Sequence, residues 1–330
     1  MRRILLYILC MVFLCFLIPI LFTQKNKVKE VKTDNNVQEK EEIITYDYGK
    51  YNKVKLLHTK TEEIEEIELD TYLLGVVSSE MPASFEKEAL KAQAVVARTY
   101  TIYKITEGKK HKDADICDDS ACCQAWISKE DRLNKWAEQN KEAYWSKIEE
   151  AVNSTKGKIV TYEGKPINAF FHSNSGGITD TATAVWGGNN YPYLQAVATS
   201  GEDSYSGYSS EVNLTKEEFV NKIKEHHSDF QIDFSLENQI EILEYTDGQR
   251  IKTIKIGNLN LSGVEIRNIF GLKSAKFQIN IEGENIKFNV VGYGHGVGMS
   301  QTGADSMAKQ GSNYEKIIKH FYTGVQITDI

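Results

Sequence analysis

Positive charge is in short supply in this chain. Lys and Arg total 39 against 46 Asp and Glu, a formal net charge of −7 over 330 residues. That balance argues against nucleic acid as the main partner. Cysteine is scarce as well: Cys10 and Cys15 fall in an apolar N-terminal run, which leaves Cys117, Cys122 and Cys123. Three thiols cannot all pair with one another. No internal repeat is visible, and the glycine-rich stretch near the C-terminus lacks the G-x-x-x-x-G-K-[ST] order of a phosphate-binding loop. The length can bury a sizeable core and allows one large domain or two small ones.

The chain begins with Met1-Arg2-Arg3 and an uncharged run from Ile4 to Phe22. At helical rise, such a run spans roughly the hydrocarbon core of a bilayer. Arg2 and Arg3 favour a cytoplasmic N-terminus, although Lys25, Lys27, Lys29 and Lys32 weaken the asymmetry. A cleaved signal peptide is the rival reading, but no Ala-x-Ala-like site closes the run. Leu9 and Leu14 before the two cysteines fit a lipoprotein site poorly. The expectation is a single-pass anchor over 1–22 with the rest outside the cytoplasm. Residues 23–42 are polar and lack aromatics, so they read as a disordered tether. Ordered structure is expected from about Ile43, giving an extracytoplasmic domain over 43–330.

The stretch Leu69–Tyr103 organises the rest of the chain. Val54–Leu56 and Ile64–Leu69 read as short strands. Asp70 or Thr71 can cap a short helix to Val77, with Glu80 just past it in Ser-Ser-Glu-Met-Pro. Pro82 disfavours helical geometry at Met81. Ser84 then reads as the N-cap of an amphipathic helix with Phe85, Ala89, Ala92 and Val96 as its core stripe. Lys91 and Arg98 lie two turns apart on one face, suited to binding substrate oxygens near a catalytic Glu80. Spacing alone fits equally well a solvated Glu and an ordinary charged helix face.

His111, Cys117, Cys122 and Cys123 form a separate, compact group. Imidazole and thiolates are the ligands zinc prefers, and four of them close a tetrahedral structural site. A disulfide is the alternative for an extracytoplasmic chain, and free thiols remain a third reading. The odd thiol count fits metal better than a bridge.

Further on, Glu130–Asn153 reads as one helix. Ile159–Tyr162 and Ile167–Phe171 read as a hairpin that delivers His172 and Ser173 into a glycine turn. Asn213–His227 reads as helical. Two hairpins are expected around Thr246–Gln249 and Glu282–Asn285, and a short helix over Val264–Gly271. Residues 205–285 can thus form an inserted α+β subdomain. Gly292–Gln301 reads as a tight turn that presents His295 and feeds a helix to Lys309; Tyr314–Phe321 closes the chain as a helix.

Several of these blocks resemble the stage II sporulation protein D family. They are Tyr72–Val77, Ser79–Pro82, Glu88–Ala94 with Ala97–Tyr100, Phe171–Gly177 with Val185-Trp186-Gly187, and Gly294–Gln301 with Gly303-Ala304. The resemblance covers most of the chain from Val54 on. It implies a lytic transglycosylase that acts on peptidoglycan glycan strands already stripped of stem peptides. It also implies a sporulation amidase and endopeptidase as partner, and a place in the engulfing mother-cell membrane. Related domains occur in amidase enhancers, so a membrane-tethered glycan-binding activator of an amidase is the second reading. The shared motifs imply one cleft joining Glu80 to His172, Ser173, His295 and Gln301. The expected fold is α+β, mixed helices and antiparallel sheets around that cleft. The Cys/His group is not part of the resemblance.

Chemistry sets a demand on Glu80. Most glycosidases use two carboxylates, but one suffices when the muramyl C6 hydroxyl, rather than water, attacks C1. An acid useful at neutral pH needs a pKa near ~6–7, which burial against apolar groups supplies. Lys91 or Arg98 in a direct ion pair with Glu80 would shift it the wrong way.

Overall fold

The computed structural model describes residues 48–330. The anchor reading of 1–22, the linker reading of 23–42 and the start of order near Ile43 lie outside the described residues. No helix among the described residues is long and apolar enough to cross a membrane.

One helix, Lys87–Thr106, sits at the centre. Its Ala, Leu, Lys and Gln residues are strong helix formers. Ala89, Ala92, Ala94 and Ala97 are fully buried, and their small side chains let neighbours approach from several sides. It is therefore a core helix, not the one-sided amphipathic helix that its charges suggest. Helices Leu69–Glu80, Lys141–Asn153, Gln301–Lys309 and Tyr314–Phe321 pack against it, as does the strand Lys158–Tyr162. Ser84 does not cap it. The flanking residue is Glu86, whose backbone N–H donates to Asp305 Oδ1 at 2.5 Å. A carboxylate from a distant helix thus meets the partial positive charge of this helix start.

The preceding helix runs to Glu80, three residues beyond Val77. Met81 is extended (φ −124°, ψ 136°), as the residue before a proline prefers. Pro82 therefore ends the helix with Glu80 as its last residue. The helix expected over Glu130–Asn153 is divided into Lys129–Lys135 and Lys141–Asn153. Between them Trp136 is extended and packs edge-on against Tyr144, with ring centroids 5.5 Å apart.

Three short sheets surround this first core. Lys53–His58 pairs antiparallel with Glu63–Glu68 and parallel with Ile116–Cys117. Lys158–Tyr162 pairs antiparallel with Lys165–Pro166 and Gln326–Asp329. Phe171–His172 runs parallel to Met299–Ser300, and this two-residue pairing joins the two glycine-rich turns.

A second core lies within residues 209–291. Ser209–Thr215, Phe277–Glu282 and Asn285–Val291 form one antiparallel sheet; Ile240–Tyr245, Ile251–Ile256 and Leu259–Ser262 form another. Phe219, Phe270 and Phe288 are buried together, the first two stacked at 5.0 Å. The helix expected from Asn213 begins only at Lys216. Val212 and Leu214 alternate with exposed Glu211 and Asn213, a strand period, and the Thr215–Glu218 capping box starts the helix. The hairpins expected around Thr246–Gln249 and Glu282–Asn285 form, whereas in the one expected over Ile159–Phe171 only Lys165–Pro166 pairs back on Lys158–Tyr162, and Phe171–His172 pairs with Met299–Ser300 instead. The fold is α+β, with mixed helices and mainly antiparallel sheets.

Candidate active site

Glu80 borders two cavities, of about 720 Å³ and about 340 Å³. Ser173 and Gln301 line both as well. Among the described residues lining either cavity, Glu80 is the one carboxylate. Its Oε1 accepts the Ala125 N–H at 2.6 Å, and the Gln301 amide also hydrogen-bonds the carboxyl. Desolvation outweighs both bonds and raises its pKa to about 7.

The larger cavity contains both histidine turns. His172 Nδ1 lies 3.1 Å from the Val297 carbonyl, and the Val297 N–H donates to His295 Nδ1 at 3.1 Å. His172 therefore carries its proton on Nδ1 and His295 does not. His172 Nε2 is buried without a hydrogen-bond partner, an acceptor facing no donor. The rings lie 5.5 Å apart. Burial, then the Arg250 charge, pushes the His172 pKa down to about 3; burial and His172 hold His295 well below its usual value. Both shifts favour the neutral ring at pH 7. The glycines between them are there for space and backbone. Gly294 has φ +112°, and a Cβ on it would sit 2.8 Å from the His172 Cβ. Trp186 and Tyr293, each 46% exposed, line the same cavity.

Sequence reasoning missed the groups that hold these turns. Glu202 is buried and accepts from the Ser175 and Gly177 N–H groups at 3.1 and 3.0 Å, from Thr199 and Thr302 hydroxyls at 2.6 and 2.9 Å, and from the hydroxyls of Ser175 and Ser300. It thereby ties the turn after His172 to the residues flanking Gln301. Desolvation opposes its charge, but the hydrogen bonds win and hold its pKa near 2. Arg250 comes from the second core. It donates to the Ser175 carbonyl at 2.8 Å and to Ile178 at 3.1 Å, and lies 3.7 Å from buried Asp180. A Cβ on Gly296 would meet its guanidinium at 2.1 Å. Glu202 falls in the polar stretch Thr199–Ser210, and Arg250 just beyond a hairpin turn. No local pattern marks either one.

The Cys/His group is assembled and lies beside Glu80, not apart from it. Donor atoms of His111, Cys117, Cys122 and Cys123 all lie within 4.8 Å of one another. His111 Nε2 is 3.7 Å from Cys122 Sγ and 3.5 Å from Cys123 Sγ, and the two sulfurs are 3.9 Å apart. Those separations approximate the edges of a tetrahedron with zinc–ligand bonds of roughly 2.0–2.3 Å, and are far longer than a disulfide bond of about 2.05 Å. The residues fit a metal. Cys122 and Cys123 line the larger cavity, and the same loop supplies the Ala125 N–H to Glu80.

Lys91 and Arg98, expected to bind substrate, line neither cavity and are engaged elsewhere. Lys91 pairs with Glu88 at 2.7 Å. Arg98 is fully buried and donates to the carbonyls of Thr155 at 2.8 Å, Lys158 at 3.3 Å and Val152 at 3.4 Å. It caps the C-terminal end of Lys141–Asn153, where a cation is favoured. Arg98→Met is expected to cost about 3 kcal/mol or more, because several carbonyls lose a charged donor. Lys91→Ala should cost less than about 1 kcal/mol. Urea unfolding of both variants checks the contrast; equal losses would refute it.

Comparison with known proteins identifies the family. A family model described as Stage II sporulation protein matches residues 57–162, which include Glu80, the central helix and the Cys/His loop. Stage II sporulation protein D of Bacillus subtilis (strain 168) is 36% identical over 278 residues, 84% of this chain and 79% of that protein. The chain belongs to the stage II sporulation protein D family. The Bacillus amyloliquefaciens member is 36% identical over 279 residues, covering 84% of this chain and 78% of its own length. An amidase enhancer of Bacillus subtilis (strain 168) is 29% identical over 306 residues, 78% of this chain but 40% of that longer protein. Membership in the sporulation family thus rests on most of the chain.

Proposed function

We propose that this protein is a lytic transglycosylase that cleaves the bond between N-acetylmuramic acid and N-acetylglucosamine in peptide-stripped peptidoglycan. The observation that carries the reading is a single carboxylate of raised pKa on the wall shared by two cavities. Protonated Glu80 gives its proton to the glycosidic oxygen as the C1–O bond breaks. The carboxylate then takes the proton of the muramyl C6 hydroxyl, whose oxygen closes on C1. Glu80 ends as it began, no water is consumed, and the product is a 1,6-anhydro end. Intramolecular attack supplies a large effective concentration of nucleophile. Neutral His172 and His295, with Ser173 and Gln301, suit hydroxyl and amide groups, and Trp186 and Tyr293 suit the apolar faces of sugar rings. We place the site outside the cytoplasm, on an anchor over 1–22, during engulfment of the forespore, beside an amidase or endopeptidase that removes stem peptides. The test is incubation with stripped strands. Release of short soluble strands supports the reading; intact strands with a folded protein would reject it.

We assign the Cys/His group to a structural zinc. Four ligands leave no open position, so bound metal would supply rigidity to the loop that carries Ala125, not a reacting group. Chelation is expected to lower strand cleavage at least about tenfold, in the range seen when groups supporting a site are lost, with little change in far-ultraviolet dichroism. Full activity of demonstrably metal-free protein would contradict this.

A second reading is favoured by the similarity to an amidase enhancer: a tethered glycan binder that speeds an amidase. Stimulation of an amidase by Glu80→Gln protein, in the absence of any cleavage by wild type, would select it.

A further inference from the structure

The smaller cavity holds a cation that forms no ion pair among the described residues, although the Glu80 carboxyl borders the same cavity. Arg132 lies on the helix Lys129–Lys135 and lines this cavity with Glu80, Trp136 and Tyr205. Its guanidinium carbon is 5.8 Å from the Trp136 ring centroid. Its Nε is buried with no hydrogen-bond partner, and burial, with no carboxylate charge beside it, sets its electrostatics. The adjacent Asp131 is engaged elsewhere, accepting the Ser128 hydroxyl at 2.8 Å. The other guanidinium that shares a cavity with Glu80 belongs to Arg267, in the larger one, and its Nε already donates to the Leu272 carbonyl at 3.2 Å.

A half-buried guanidinium loses hydration, and a paired anion restores what was lost. The planar fork matches a carboxylate with two parallel hydrogen bonds. The geometry points to Arg132 as the residue that recognises the free lactyl carboxylate of N-acetylmuramic acid next to the scissile bond. The identity of this sugar rests on the transglycosylase reading above. In a strand that retains its stem peptides that carboxylate is an amide. It has then lost its charge and gained a peptide that the cavity, about 340 Å³, has little room for. Arg132 would thus be a specificity determinant that makes peptide removal a precondition for productive binding.

The test is a binding measurement on the full-length protein carrying Glu80→Gln, so that strands stay intact. Peptide-stripped strands are compared with the same strands after conversion of their lactyl carboxyls to amides. Amidation is expected to weaken binding roughly 10–100-fold. Adding Arg132→Gln should weaken binding of the native strands by a similar factor and erase the difference between the two, while Arg132→Lys restores part of it. An unchanged ratio in Arg132→Gln overturns the assignment, as does a ratio lost in Arg267→Gln but kept in Arg132→Gln. Because binding is read without turnover, the two proposals fail separately. Carboxylate dependence through Arg132 without cleavage by wild type sinks only the transglycosylase. Cleavage by wild type with an unchanged ratio sinks only the role of Arg132.

Discussion

Glu80→Gln is expected to reduce strand cleavage by about 10²–10⁴-fold or more, the usual contribution of general acid–base catalysis, while leaving the fold intact. The same substitution should also raise stability at alkaline pH. The Glu80 pKa is raised from 4.5 to about 7. Its favourable state is therefore the protonated one. That contribution is complete below the unfolded value and is lost as pH rises through about 7. The uncharged amide does not titrate, so at pH 8 Glu80→Gln should exceed wild type by up to about 3 kcal/mol at 1.36 kcal/mol per unit. At pH 4 the two should be close. The rate of wild type should fall above about pH 7 as the acid form is depleted. Denaturant unfolding at the two pH values, beside a pH–rate profile, checks both halves. A variant no more stable at pH 8 than at pH 4, relative to wild type, would mean that the carboxyl is not desolvated.

Glu202→Ala is expected to be the most damaging substitution outside the cavities. It would remove the one carboxylate that two N–H groups and four hydroxyls now share, and only some of these keep a second partner, as the Gly177 N–H does in Ser175 Oγ and the Thr302 hydroxyl in the Ser173 carbonyl. Leaving even part of such a set unsatisfied costs about 1–3 kcal/mol per group, so a loss beyond about 4 kcal/mol is expected. The linkage has the opposite sign from Glu80. The Glu202 pKa is depressed to about 2, so its stabilisation is present above the ordinary carboxylate range and is lost as pH falls toward 2. Acid unfolding of wild type should therefore be steep between about pH 4 and pH 2. Glu202→Gln should be less pH-sensitive in that window. If both proteins lost stability in parallel there, the buried hub would not be the source. Loss of the hub should also loosen the Ser173 turn and the Gln301 helix start together, since Glu202 accepts from both sides.

The sequence carried some of this plainly and hid the rest for physical reasons. Regular hydrophobic period and turn chemistry marked the hairpins around Thr246–Gln249 and Glu282–Asn285. Pro82 marked a helix end, and its effect reaches only Met81, so the helix keeps Glu80. Lys91 and Arg98 show the limit of spacing. Seven residues put them on one face, but their surroundings differ: Lys91 is partly exposed and pairs with Glu88, while Arg98 is enclosed because the C-terminal end of Lys141–Asn153 packs over it. The ligand types of the Cys/His group were legible. Its place beside Glu80 was not, since this depends on how the loop to Ala125 folds back. Glu202, Arg250 and Arg132 carry no motif. Their roles arise only where distant segments meet.

The most direct test of the account is the mass of the new ends produced from peptide-stripped strands by wild type beside Glu80→Gln. The account predicts 1,6-anhydro-muramyl ends, lighter by one water than reducing ends, from wild type alone. Reducing ends would contradict it: water would then be the attacking group, and one carboxylate would not be enough.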